Sequence, residues 1–314
     1  MATTRTILVT GATGKQGSAL IDALLAADNT NTPIHIIAVT RDTTSGSAKA
    51  LACRPNVSVI AGDLADPDAI FDQASTISEN QGVWGVFGVQ INSPFEEQQG
   101  KALITTAAAR GVGHFVYASG DRGGPQKSEA DPTFVKNFAA KYAIEKHLQK
   151  LAAGNNKQGM TYSILRPVTF FENMTPDING KGFARMWEQM GSRKPLQLVS
   201  TRDIGRVAAM AFLDPGKYRN VALTLVGDEL TQSEAEVIFQ EVTGGEHMPM
   251  IPCPVGSAVK FFKKDTVGDM FRWFEENGYG GDVGWCREEF SGMMDYRTWL
   301  LERSAFAQRS MSVK

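Results

Sequence analysis

Thr6-Ile-Leu-Val-Thr10 is a short apolar run rich in β-branched residues, and Ser18–Ala27 repeats apolar residues at helical spacing. Between them the chain reads Gly11-Ala-Thr-Gly14-Lys-Gln-Gly17, a G-x-x-G-x-x-G spacing. Strand, glycine turn and helix in that order leave few architectures open. Glycines let a backbone turn tightly and approach a pyrophosphate, and the unpaired N–H groups opening the next helix face its oxygens. A plain glycine turn meets the same pattern, so its weight comes from its place at the head of an alternating chain. Gly11, Thr13, Gly14, Lys15, Gln16 and Gly17 are the expected phosphate-binding residues.

The alternation continues with strand-like runs at 34–40, 57–61, 83–89 and 114–118, separated by segments long enough for helices. A sixth, Thr161-Tyr-Ser-Ile-Leu-Arg166, ends at Pro167. Repeated strand and helix units predict an α/β fold with a Rossmann-type doubly wound parallel sheet. After Pro167 the alternation weakens, so the expected division is a nucleotide-binding domain over 1–166, to which later segments can return, and a smaller α/β lobe over 167–314. The helices of that lobe are expected near 203–213, 231–243, 257–276 and 296–308, with a strand near 221–226. Ser93-Pro94-Phe95-Glu96 reads as an N-cap, a proline at the first helical position and a capping-box glutamate, with Gly111 closing that helix. Thr231-Gln-Ser-Glu234 reads as a second capping box.

Charge and cysteine usage narrow the function. With 34 acidic and 32 basic side chains the net charge is −2, which argues against direct nucleic-acid binding. Cys53, Cys253 and Cys286 are too scattered for a disulfide framework or a zinc site, and the four histidines lack metal-ligand spacing, so no metal is expected. The N-terminus lacks the apolar core of a signal peptide and no run of about 18 apolar residues follows, so the expectation is a cytoplasmic protein without a membrane partner.

Cofactor preference is read at the end of the second strand, where an acid would bind a ribose 2′-hydroxyl and an arginine a 2′-phosphate. Here that strand ends in Arg41, which favours NADP(H) over NAD; the alternative is a solvated charge paired with Asp42. Asp63 and Leu64 follow the third strand, where they can border an adenine, although a turn aspartate explains Asp63 nearly as well. Val89 and Gln90, at the end of the fourth strand, complete the expected cofactor contacts on this side.

These residues resemble the NmrA-like group of atypical short-chain dehydrogenase/reductases. The matching elements are VTGATGKQG (9–17), AVTR (38–41), GDL (62–64), QQGKAL (98–103), HFVYASG (114–120), LRPVTFFENM (165–174), RDIGRV (202–207) and LTLVGDELTQSE (223–234), in family order over nearly the whole chain. The resemblance implies a Rossmann lobe binding NADP(H), a smaller C-terminal lobe and a cleft between them. It further implies that Phe170, Phe171, Glu172 and Asn173 lie beside the nicotinamide and that Lys141 reaches the nicotinamide ribose. Core packing is the competing reading for the two phenylalanines.

Carbonyl-reducing short-chain dehydrogenases use Tyr-x-x-x-Lys on one helix face, the phenol giving the proton and the ammonium binding ribose. Tyr142 and Lys146 have that spacing, but the resemblance places the functional lysine at Lys141 and puts Asn137 at the tyrosine position. We favour Lys141, with Ser119 as the other expected catalytic residue, holding a carbonyl oxygen. Phe170, Phe171, Met174, Phe183, Met186 and Trp187 offer an apolar lining for a substrate pocket. Two functions stay open: an NADPH-dependent oxidoreductase acting on a small-molecule substrate such as a quinone, enone, imine or carbonyl compound, and a non-catalytic NADP(H)-binding redox sensor that contacts a regulatory protein partner and can also be nuclear.

Overall fold

Parallel strands covered on both faces need apolar residues at successive positions rather than alternate ones, and the first strand has them: Ile7, Leu8 and Val9 are all fully buried. The computed structural model describes residues 4–27, 33–78, 82–154, 159–252 and 267–306. Ten strands are found there: β1 (Arg5–Val9), β2 (Ile34–Thr40), β3 (Val57–Ala61), β4 (Gly85–Gly88), β5 (His114–Ala118), β6 (Thr161–Pro167), β7 (Thr169–Phe170), β8 (Leu196–Val199), β9 (Val221–Leu225) and β10 (Asp228–Leu230). Seven form one sheet in the order β3-β2-β1-β4-β5-β6-β9. The first six pair in parallel, with Leu8 opposite Ile37 on one side and Val86 on the other. The order reverses between β1 and β4, and in open α/β sheets a ligand crevice forms outside the carboxyl ends of the strands at such a point.

Met1–Ser119, Ala140–Arg166 and Ile204–Leu223 make up the first of two units. Its helices include α1 (Lys15–Ala26), α2 (Gly46–Ala52), α3 (Pro67–Ile77), α4 (Glu96–Ala109) and most of α6 (Lys136–Ala153) and α8 (Thr201–Leu213). The sequence pattern predicts α8 and the strand near 221–226 in the second lobe; the structure places β9 at the edge of the main sheet and residues 204–213 in the first unit. Gly205 shows why. A Cβ there would stand 2.4 Å from the Ala19 carbonyl carbon, so α8 lies against the backbone of α1 at a distance only glycine permits.

Gly120–Ala139, Pro167–Asp203 and Thr224–Lys314 form the second unit, around the sheet β10-β8-β7. β7 and β8 are parallel, β8 and β10 antiparallel. Its core is aromatic, with Trp187, Phe239, Phe271, Trp273, Tyr296 and Trp299 all nearly inaccessible. Asp121 ties this unit together: fully buried, it accepts from the backbone N–H groups of Gly123, Gly124 and Gly280 and from the hydroxyls of Ser128 and Thr224. A buried carboxylate needs that many donors to offset its desolvation. Helix α9 (Gln232–Thr243) starts on the Thr231–Glu234 capping box, both reciprocal bonds present. Of the helix expected over 257–276, Asp269–Glu276 is seen; residues 257–266, Cys253 and the end of the helix expected over 296–308 lie outside the described residues. Helices α5 (Pro125–Ala130), α7 (Ile178–Glu188) and Val283–Glu289 are not among those the sequence pattern predicts.

Candidate functional site

The three glycines of the β1–α1 turn serve three different purposes. Gly11 has φ +57°, and a Cβ on it would stand 2.7 Å from the Val89 side chain. Gly17 would place a Cβ 2.3 Å from the Gly11 carbonyl oxygen, so it sets how closely helix and turn pack. At Gly14 a Cβ would meet only that same oxygen, at 3.1 Å; otherwise the space beside it is open. Gly14 is also the N-cap of α1 and leaves it without a side-chain cap, so the helix presents its N-terminal N–H groups where an anion is best held. Thr10 fixes the turn to the neighbouring strand: its hydroxyl lies 3.1 Å from both the Phe87 and Val89 carbonyls and accepts from the Val89 N–H at 2.9 Å.

A cavity of about 670 Å³ opens over this turn, within the first unit. It brings together Gly11, Thr13, Gly14, Arg41, Asp63, Leu64 and Val89 from the expected set. Lys15, Gln16, Gly17, Gln90 and Lys141 are not in its lining. Gln90 is 7% exposed and neither atom of its amide has a partner; the Gln16 side-chain oxygen is likewise buried and unpartnered. Such groups suit a ligand that supplies the missing hydrogen bonds.

Arg41 lines the cavity and forms no ion pair among the described residues. Asp42, its suggested partner, instead accepts from the backbone N–H and the hydroxyl of Thr44, at 2.8 and 2.6 Å, and these bonds hold its carboxyl below the usual carboxylate range. Thr40, Ser45 and Ser47 line the cavity with Arg41, a group of hydroxyls the sequence reading did not identify. Serines four and six residues past an arginine in a Ser/Thr-rich loop carry no signal of their own. Only the fold of the loop toward α2 brings them in.

On α6 the two lysine registers are separated. Lys141 donates to Glu96 at 2.8 Å, while the Lys146 ammonium lies 5.2 Å from the centre of the Tyr142 ring. Glu96 does not close the capping box that its spacing from Ser93 predicts. Helix α4 begins at Glu96 itself; the Glu96 N–H bonds to the Ser93 carbonyl in a turn, and the carboxylate reaches Lys141 instead of folding back on the cap. Four residues after Lys141, the fully buried Glu145 binds Arg166 at 2.7 Å and accepts from the Ser119 hydroxyl. The Ser119 hydrogen is thus directed at a carboxylate, and the residue is only 4% exposed, so it does not present a donor to a carbonyl oxygen.

Phe170 to Asn173 fall in the second unit, where Phe170 ends β7 and Phe171–Asn173 form a single 3₁₀ turn. Phe171 is fully buried, its ring stacked on Trp299 at 5.5 Å and tilted against Tyr296 at 5.9 Å, so it packs into the core of this unit. Glu172 accepts from the Ser200 hydroxyl, the Thr201 N–H and the Trp299 indole, bonds that anchor the start of α8. Asn173 is half-buried. Met174, Phe183, Met186 and Trp187, expected to line a pocket, are core residues of the same unit.

The NmrA-like family model matches residues 3–299. An NmrA-like family domain-containing oxidoreductase, hkm9 of Aspergillus hancockii, is 30% identical over 268 residues, covering 77% of this chain and 74% of its own. The crystal structure of the negative transcriptional regulator NmrA in complex with NADP is similar over 99% of this chain and 98% of its own, with a TM-score of 0.70 and 19% identity. The triphenylmethane reductase of Citrobacter sp. complexed with NADP(H) is similar over 97% and 99%, with a TM-score of 0.69 and 17% identity.

Proposed function

The chain belongs to the NmrA-like family, and from that premise we propose that it is an NADP(H)-dependent oxidoreductase acting on a small organic substrate. The observation that carries this reading is Arg41, without an ion-pair partner among the described residues and grouped with Thr40, Ser45 and Ser47 on the wall of the cavity above the glycine turn. A guanidinium fork among hydroxyls suits a 2′-phosphate, which an acidic residue there would repel. The N-terminus of α1 and the open side of Gly14 hold the pyrophosphate, Asp63 and Leu64 border the adenine, and the Lys141 ammonium binds the ribose on the nicotinamide side. The bound nicotinamide supplies a hydride; the chain's own part is to bind, orient and exclude water.

The name of the hkm9 relative and the NADP(H) complex of a reductase with this fold support turnover. One observation favours the second reading, a redox sensor that binds NADP(H) without turnover: Ser119 directs its hydrogen to Glu145 and offers none to a substrate. The deciding experiment follows NADPH oxidation by the purified protein across quinones, enones, imines and triphenylmethane dyes. The oxidoreductase reading requires substrate-dependent oxidation with at least one class. Tight NADPH binding with no turnover on any class would favour the sensor.

A further inference from the structure

Glu96 is a carboxylate placed where it needs a reason. It is 1% exposed, it opens α4, and one of its oxygens is buried with no partner while the other accepts from Lys141. Nothing else among the described residues binds either group. An acid at the first residue of a helix is favoured by the helix dipole, but that benefit is available to an exposed side chain and does not require burial. Burial of a carboxylate with a single partner is costly, and it makes the pair hard to separate, since withdrawing the lysine would strand an uncompensated charge.

The lysine end of the pair is different. Lys141 keeps 16% of its side-chain surface accessible, and two of its three ammonium hydrogens have no protein acceptor among the described residues. A flexible four-carbon stem ordinarily leaves an ammonium free to wander. Here one hydrogen is anchored and two remain to be accepted, which suits a ligand offering adjacent oxygens, such as a vicinal diol. The Glu96 N–H bonds to the carbonyl of Ser93, a residue of the cavity wall, so the anchor is built into the segment that borders the cavity.

We propose that Glu96 is a positioning residue: it fixes the Lys141 ammonium so that its remaining hydrogens meet the hydroxyls of the nicotinamide-side ribose. This rests on the dinucleotide reading above. The test is calorimetric binding of NADPH and of 2′,5′-ADP, which lacks the nicotinamide riboside, to wild type, Glu96→Gln, Lys141→Met and the double variant. Glu96→Gln should weaken NADPH by roughly tenfold, the scale of a charge-assisted hydrogen bond, and leave 2′,5′-ADP unchanged. Lys141→Met should do the same, and the double variant should be no weaker than Lys141→Met alone. Glu96→Asp, which keeps the charge on a shorter arm, should recover part of the affinity and serves if the glutamine variant folds poorly. Equal losses for both ligands, no loss for either, or full additivity in the double variant would overturn the proposal. Wild-type protein that binds neither ligand would overturn the dinucleotide reading, and this inference with it.

Discussion

The β1–α1 turn and the segment Phe170–Met174 both stood out in the sequence, and the structure treats them in opposite ways. At the turn, the signal is missing side chains: the Cβ distances at Gly11 and Gly17 show that the backbone path itself demands glycine, and Gly14 leaves its space open to the cavity. At Phe170–Met174 the signal is large apolar side chains, and Phe171 and Met174 are spent on the core of the second unit. A glycine at a fixed spacing has few explanations other than close backbone approach. An aromatic residue has one very common explanation, burial, which a sequence pattern cannot separate from ligand contact.

Removing Phe171 gives the largest expected effect. Phe171→Ala should cost about 3–5 kcal/mol of stability, measured by denaturant unfolding, because it empties a buried site packed against Trp299 and Tyr296. A loss below about 1 kcal/mol, with NADPH binding abolished, would mean that the ring serves a ligand after all.

Gly14→Val tests the other side of the comparison. It should weaken NADPH binding by about a hundredfold or more, equivalent to losing two charge-assisted bonds to phosphate, with a melting temperature within a few degrees of wild type. Gly17→Val, whose Cβ would stand 2.3 Å from the Gly11 carbonyl oxygen, should instead unfold the first unit. If the two variants behave alike, the division of labour among the glycines is not real.

A smaller effect asks whether the first unit, too, hides a ring that looks functional. His114 is fully buried, stacked 6.3 Å from Trp84, with its ring nitrogens 2.8 Å from the Thr161 hydroxyl and 3.0 Å from that of Ser163. Burial pushes its pKa down to about 4. Between about pH 6.5 and pH 4 the unfolded chain therefore binds a proton that the folded chain refuses, and stability is lost as pH falls, by up to about 1.4 kcal/mol per unit. Unfolding curves across that window should be less pH-dependent for His114→Gln than for wild type. Parallel slopes would contradict the burial account.

The strands up to β6 were legible because each is a short apolar run between breakers, and Gly11, Arg41 and Asp63 were legible because their positions are counted from those strands. The second sheet was not, since β7 and β10 span only two and three residues and show no period. Glu96 was misread for a related reason. Ser-Pro-Phe-Glu satisfies the local capping rule, yet the partner that wins its carboxylate is 45 residues away, and local patterns do not report long-range pairs. Gly205 was equally silent, although its contact with α1 decides which unit α8 joins.

The cavity over the glycine turn is proposed to take a 2′-phosphorylated dinucleotide, and the direct measurement is titration of wild type and Arg41→Ala with NADPH and NADH. Wild type should bind NADPH at least about tenfold more tightly than NADH, and the substitution should remove most of that difference while leaving NADH affinity nearly unchanged. Equal affinity of wild type for the two cofactors, or a preference that survives in Arg41→Ala, would contradict it.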